Sequence, residues 1–287
     1  AAAGGSVTLV GDEVVNEGMI LAEMGRVNLA SASEAVLTFD ADGLIGLEVT
    51  KSALGDLVGD AAVPDAGSIE ANGGQILLTA DAAQDLFDRA INNEGILRAN
   101  TAQEVNGEIV LMSTGDTFSS GGLLATSEGG EGGRVEVLGD RVAVTDGTID
   151  VSGSDGGGEI LVGGDFQGGG ETPTAERTFV GADAELVADA TESGDGGRVI
   201  VWADDATSFF GSLSARGGEN GGDGGFAEVS GKERLDFAGT VDLAGRDGNG
   251  TLLLDPANIT IDAVADSDID DKDAGADALF QDDDGGI

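Results

Sequence analysis

The sequence predicts an all-β protein that folds as a right-handed parallel β-helix, a solenoid with short helical or loop insertions. Three observations indicate this class. A short element, in which a glycine precedes alternating aliphatic residues, recurs along the chain; it alternates in a fixed order with a second short element; and glycine is abundant whereas proline is rare. The 287 residues include 51 Gly, 3 Pro and no Cys. Glycine this frequent without proline is typical neither of collagen nor of a proline-rich linker.

The first element is a short strand of period two with a glycine at its start. It occurs as GSVTLV from Gly5, GRVNLA from Gly25, GQILLTA from Gly74, GEIVLMS from Gly107, GRVEVLG from Gly133, GEILVGG from Gly158, GRVIVWA from Gly197, GFAEVSG from Gly225 and GTLLLDP from Gly250.

The second element tends to precede the first and occurs as GMILAE at Gly18, GSIEANG at Gly67, GILRANT at Gly95, GLLATSEG at Gly122, GTIDVSG at Gly147, GSLSARG at Gly211 and GTVDLAG at Gly239. The pair forms a coil of roughly 20 to 25 residues, which is within the solenoid range. An antiparallel sandwich would need hairpin signals and does not usually repeat one ordered pair of strands. Right-handed winding is the default for parallel crossovers.

Glycine-rich runs at 154–159 and 217–225 are expected at corners, where a positive φ favours glycine. The related segments VVNEGMI and INNEGIL predict that Asn16 and Asn93 occupy stacked corners, where asparagine bonds local backbone. We expect residues 1–261 to form the shaft and residues 262–287 to form an acidic terminal segment that serves as a cap or connector.

Two segments interrupt the repeat, and we expect both to be short helices inserted between coils. Residues 50–60 and 81–91 place apolar residues at helical spacing. In the second segment these residues are Leu86, Phe87, Ala90 and Ile91, and Asp81 with Gln84 resembles a capping box.

Composition excludes several functions. With 13 basic and 55 acidic residues the formal net charge is -42, so nucleic acids and anionic membranes are repelled. The absence of His and Cys excludes Ser-His-Asp and Cys-His nucleophiles, thiolate zinc sites and disulfides. No apolar run reaches the roughly 18 residues of a membrane span, so membrane insertion is not expected.

Calcium binding is one interpretation of the acidic end, although no cofactor is required by the predicted fold. Alternate carboxylates can converge on calcium, but the glycine of an EF-hand loop is missing. A solvated acidic end is the alternative interpretation. The candidate calcium ligands are Asp266, Asp268, Asp270, Asp271 and Asp273.

An aromatic cluster is the candidate interaction surface. If Val199 and Val201 point inward, Ile200 and Trp202 face outward on the same strand. Such a stripe could stack on a sugar or receive a neighbouring subunit, and the alternative is that a loop folds over it. The candidate residues are Ile200, Trp202, Phe209, Phe210 and Phe226.

The stretch from Gly194 to Ile261 resembles the large filamentous-haemagglutinin-like exoproteins of two-partner secretion systems. It contains GDGGRVIVWADDATSFFGSLSARGG, GDGGFAEVSGKERLDFAGTVDLAG and GTLLLDPANITI. Weaker similarity covers most of the chain. The resemblance implies a right-handed β-helical passenger, exported through an outer-membrane pore partner and placed outside a Gram-negative-type cell. The Asn-Pro-Asn-Gly type signature of the family's amino-terminal secretion domain is absent.

These observations predict a non-catalytic extracellular protein, the β-helical shaft of a surface adhesin or of a self-assembling filament. Open solenoid ends are unpaired edges, so we expect end-to-end or side-by-side self-association. One alternative is a polysaccharide lyase or hydrolase in which Asp204 and Asp205 act as acid and base, although adjacent residues on a strand point to opposite faces. Another is a monomeric module that binds cell-surface glycans.

Overall fold

The protein is a parallel β-helix, as predicted. The computed structural model describes residues 1, 4–11, 13–32, 34–39, 45–51, 59–72, 74–80, 87–99 and 107–257. Within them, strands stack into two long parallel sheets, and two further strands pair as one antiparallel hairpin. The boundary predicted at residue 261 and the acidic segment after it lie outside the described residues.

The first sheet contains nine parallel strands, and each corresponds to one of the nine predicted glycine-led elements. Equivalent positions stack in register, so that Glu108 pairs with Arg134 and Arg134 with Glu159. The strands are β1 (Ser6–Gly11), β3 (Arg26–Ser31), β8 (Gln75–Ala80), β11 (Glu108–Ser113), β14 (Arg134–Leu138), β16 (Glu159–Val162), β18 (Arg198–Ala203), β21 (Phe226–Gly231) and β24 (Thr251–Leu253).

The second sheet has two columns of parallel strands, which merge where two longer strands, β15 (Arg141–Asp150) and β17 (Arg177–Val187), run through both. One column is β6 (Gly59–Asp65), β9 (Phe87–Asn93), β12 (Asp116–Ser119), β15 (Arg141–Asp150), β17 (Arg177–Val187), β19 (Ala206–Phe209) and β22 (Arg234–Phe237). The other column adds β2 (Met19–Leu21), β7 (Ser68–Glu70), β10 (Ile96–Arg98), β13 (Gly122–Leu124), β20 (Ser212–Ser214) and β23 (Thr240–Asp242).

The helical predictions are wrong wherever the structure describes the segments. Residues 87–91 lie in β9, which pairs with β6 and β12, and residues 59–60 belong to β6. Residues 50 and 51 end β5 (Ile45–Lys51), which pairs with β4 (Glu34–Phe39) in the hairpin. Cross-strand pairing therefore overrides the local helical spacing. Residues 52–58 and 81–86, including the suggested capping box, lie outside the described residues.

Stacked aliphatic rows form the core. The inward row of the first sheet includes Ile109, Val135, Ile160 and Val199, each of which is fully buried. Burial of such side chains contributes about 1.5–3 kcal/mol each. Because every coil contributes equivalent positions, one continuous hydrophobic cluster runs along the rod.

One buried row of the second sheet is polar at its amino-terminal end. Asn16, Asp65, Asn93 and Ser119 occupy neighbouring rungs of this row. The Asn16 amide donates to Asp65 Oδ1 (2.6 Å), and the Asn93 amide donates to Ser119 Oγ (3.1 Å). The two asparagines therefore lie at stacked positions, as predicted, with Asp65 between them. Burial raises the pKa of Asp65, and hydrogen bonds from Asn16 and Gly67 oppose that rise.

The glycines that precede the strands of the first sheet are required for a different reason from the positive φ that was predicted. Gly157 does not have a positive φ; instead, a Cβ atom there would lie 1.9 Å from the Ala188 carbonyl oxygen. A Cβ atom on Gly158 would lie 2.1 Å from the Gly133 carbonyl oxygen. The main chains of neighbouring segments thus approach each other so closely that only glycine fits at these two positions. Gly221 and Gly222 do have positive φ, so the corner explanation holds for part of the run 217–225.

Candidate functional site

One coil carries an insertion, residues 163–176, which we call the strap. The strap joins β16 to β17, whereas only Asp204 and Asp205 join β18 to β19. It contains a 3-10 turn at Phe166–Gly168, in which Gln167 has a left-handed conformation (φ 52°, ψ 30°). Instead of continuing directly into the next strand, the chain here folds back over the outer face of the first sheet.

The strap covers an apolar cluster on that face. Leu161, Ile200 and Trp202 are 0%, 0% and 5% exposed and form a cluster separate from the main core. A Cβ atom on Gly168 would lie 2.7 Å from the Trp202 indole ring, so glycine allows the strap to lie flat on the tryptophan. Phe166 packs edge-on against Phe226, with ring centroids 5.7 Å apart.

Polar contacts hold both ends of the strap. Near its beginning, the Asp165 carboxylate forms an ion pair with Arg198 at 2.6 Å. Near its end, the Thr174 hydroxyl donates to Asp204 Oδ2 at 2.6 Å. These two contacts lie on either side of the Trp202 cluster, so they fix the strap across it.

Glu228 lies beneath the middle of the strap and is fully buried. Its Oε2 atom accepts the Gln167 backbone N–H at 3.0 Å, whereas its Oε1 atom has no hydrogen-bond partner among the residues that the structure describes. Burial raises the pKa of Glu228, and the nearby Asp255 carboxylate adds to the rise. Hydrogen bonds from Gln167 and Ser230, together with the Arg198 charge, oppose it.

We predict that Glu228→Gln removes the loss of strap stability that accompanies a rise in pH above the ordinary glutamate pKa. A raised folded-state pKa means that the strap is most stable below the ordinary glutamate pKa, and that it loses stability as pH rises through the raised value. Glutamine keeps an acceptor for Gln167 and carries no charge. The measurement is hydrogen exchange of residues 163–176, corrected for intrinsic rates, together with fluorescence of the sole tryptophan, Trp202.

The wild-type strap should exchange severalfold faster at pH 8 than at pH 5, and the variant should exchange equally at both. Glu185→Gln, at an exposed carboxylate on the second sheet, is the matched control and should behave as wild type. Equal pH dependence in wild type and Glu228→Gln would contradict the assignment to this carboxyl group.

The predicted aromatic stripe is divided among three places. Ile200, Trp202 and Phe226 come together as expected, but they lie under the strap and do not face solvent. The alternative interpretation, in which a loop folds over the cluster, therefore describes them. Phe209 lies in the main core and stacks on Phe237, with ring centroids 5.5 Å apart and planes 8° apart. Phe210 contacts Phe179 of the neighbouring strand. A binding role for these residues stays a prediction, and none of them forms the exposed stripe that the sequence suggested.

Asp204 and Asp205 make separate structural contacts. Asp204 accepts hydrogen bonds from Thr174 and from the Trp202 indole N–H (3.3 Å). Asp205 forms an ion pair with Arg177 at 3.1 Å. Both carboxylates thus anchor the turn and its neighbours.

A groove of about 980 Å³ runs along the edge of the first sheet where its strands begin. Glycine pairs of successive coils form its floor, so main chain rather than side chains faces the groove. Glu159 binds both Arg134 and Arg198 along one side. The groove is acidic overall, because its charged lining residues are Glu108, Glu131, Arg134, Glu159, Asp195, Arg198 and Asp223.

The five aspartates proposed to bind calcium lie outside the described residues. Within the described ranges, no group of three or more acidic side chains is arranged to hold a metal ion. No helix in the same part of the chain is long and apolar enough to cross a membrane.

Comparisons with protein-family models and with curated proteins gave no match. Among solved structures, the chain is similar to the crystal structure of the HMW1 secretion domain from Haemophilus influenzae, with 28% sequence identity and a TM-score of 0.69. The alignment covers 88% of this chain and 63% of that one, so the chain spans less than two thirds of the matched structure. The similarity supports a two-partner-secretion-like β-helical domain in general, without assigning it to the filamentous haemagglutinins.

Proposed function

We propose that this protein is the non-catalytic β-helical shaft of a secreted surface adhesin or of a self-assembling filament. In this proposal an outer-membrane pore partner exports it from a Gram-negative-type bacterium, and it acts outside the cell or at the cell surface. The observation that carries the proposal is the in-register stacking of parallel coils in a chain that is similar to a secretion domain.

The way in which a solenoid folds is compatible with export through a pore. Each coil of a solenoid gains its contacts from its neighbours, so folding can propagate along the chain as it leaves a pore. No cysteine is present, so no disulfide can lock the chain before passage. In this proposal the stacked core is sufficient for folding, and no cofactor is needed. The similarity to a secretion domain supports export through a pore partner, even though the Asn-Pro-Asn-Gly signature is absent.

The charge suits an extracellular location and favours cation-dependent assembly. A net charge of -42 keeps separate rods apart unless salt or divalent cations screen it. We therefore propose that calcium promotes end-to-end or side-by-side contacts between shafts. Cell-surface glycans are the proposed targets of adhesion.

Immunogold electron microscopy of the producing cells tests this function. Gold label outside the cell, on filaments that disperse when calcium is chelated, is the expected result for a structural assembly. Label on isolated surface rods in both conditions would favour the adhesin shaft. Label confined to the cytoplasm or periplasm would refute the proposal.

A further inference from the structure

The outer face of the second sheet carries a shallow depression of about 390 Å³ that shares no lining residue with the Trp202 cluster. It crosses five neighbouring strands, β12, β15, β17, β19 and β22. Its volume is within the range of ligand sites in proteins. Two rows of outward-facing side chains shape it.

The first row alternates aromatic and small residues. Phe118, Ala143, Phe179 and Ser208 are register partners on successive strands. The two rings are therefore about 10 Å apart, with small residues next to them. Phe179 is 39% exposed, and its contact with Phe210, at a centroid distance of 5.8 Å and an interplanar angle of 63°, holds the ring in place. The row offers an exposed aromatic ring next to an open slot.

The second row is basic, which is unusual in this protein. Arg141, Arg177, Ala206 and Arg234 are register partners, so three of the 13 basic residues of the chain line one depression. The side chains of Arg141 and Arg177 are each 63% exposed. Asp116 is the acidic residue of the lining, so the lining itself is positive on a strongly acidic protein.

The three arginines differ in their capacity for a ligand. Arg141 is held by Asp116 through two nitrogens and also faces the carboxylates of Asp140 and Glu176. Arg177 contacts Asp205 through Nε, and within the described part of the chain its two terminal amino groups have no ion-pair partner and can serve another acceptor. Arg234 forms no ion pair with any residue that the structure describes.

We propose that this depression binds a short acidic oligosaccharide, with one sugar ring on Phe179 and its carboxylate bound by Arg177 and Arg234. The apolar face of a sugar ring matches an exposed aromatic side chain, and a carboxylate matches the planar donors of arginine. The surrounding charge of -42 opposes long polyanions, so the depression selects a short or terminal acidic unit.

The inference deepens the proposed adhesive function and rests on it for its biological role. Binding is tested on the purified chain, whereas export and surface location are tested on cells. If the purified chain fails to bind the saccharide but is found at the cell surface, only the binding proposal has failed. If the chain binds but is not exported, only the proposed function has failed.

Isothermal titration calorimetry with tri-galacturonic acid is the test, with galactotriose as the neutral counterpart. Tri-galacturonic acid should bind, and galactotriose should bind at least about tenfold more weakly. Phe179→Ala should weaken binding of the acidic trisaccharide about tenfold, and the double variant Arg177→Ala/Arg234→Ala should weaken it by at least as much.

Phe166→Ala and Arg246→Ala are the matched controls, because both residues are exposed but lie outside the depression. Both controls should bind within about twofold of wild type, and circular dichroism should show that every variant is folded. Absence of wild-type binding, equal binding of galactotriose, or unchanged binding by folded Phe179 and arginine variants would each overturn the proposal.

Discussion

Gly157→Val should destabilise the protein by at least about 4 kcal/mol, because no side chain fits between the coils at this position. A Cβ atom would lie 1.9 Å from the Ala188 carbonyl oxygen and 2.3 Å from the Gly197 backbone nitrogen. Both are main-chain atoms, and both neighbouring segments are held by hydrogen bonds, from Gly157 to Asp195 and from Gly197 to Ala188. Relief of the clash would therefore separate two stacked coils. Urea denaturation followed by circular dichroism measures the effect.

Gly129→Ala is the matched control for this substitution. A Cβ atom on Gly129 would meet no other atom within 4 Å, and this glycine does not have a positive φ. Alanine at this site should leave stability within about 0.5 kcal/mol of wild type. A folded Gly157→Val variant of wild-type stability would show that the coils are not as close as described.

Ile160→Asp should also destabilise the protein by about 4 kcal/mol or more at pH 7. Ile160 is fully buried between its register partners Val135 and Val199 in the inward row of the first sheet. The substitution removes the contacts of an isoleucine and buries a carboxyl group without a partner. Burial raises the pKa of such a group, so the loss should be smaller near pH 4, where the carboxyl is protonated, than at pH 7.

Ile96→Asp provides a control with the same change of residue type. Ile96 is 46% exposed on the second sheet, so its variant should lose no more than about 1 kcal/mol. Denaturation at pH 4 and pH 7 distinguishes the two sites. Equal losses at both positions would contradict the assignment of inward and outward rows.

The repeat could be predicted from the sequence because glycine marks each strand of the first sheet. All nine predicted elements are strands in register, and the second predicted element recurs in one column of the second sheet. The glycine-led pattern does not predict the strands of the remaining column. Its inward positions include Thr117, Thr178 and Thr207, whose hydroxyls donate to main-chain carbonyls of the neighbouring turns. Buried threonines disguise the alternation of apolar and polar residues that identifies a strand.

The candidate surfaces were harder to predict because they depend on register and on insertions. Trp202 is hidden by residues 163–176, and no local pattern shows that a glycine-rich segment will fold back over a strand. Phe118 and Phe179 are far apart in sequence, and they line one surface only because their strands flank β15. Periodicity can predict which face of a strand a residue occupies. To predict which residues become register partners on neighbouring strands, one must also know the length of every coil between them.

Export through an outer-membrane pore partner is the most direct test of the central claim. The chain, carrying a secretion signal, would be expressed in a Gram-negative host with and without a candidate pore protein of a two-partner secretion system. We expect protease-resistant, β-rich protein outside the cell only when the pore is present, and little of the Gly157→Val variant in that form. Folded chain that stays in the periplasm despite a functional pore partner would contradict the account.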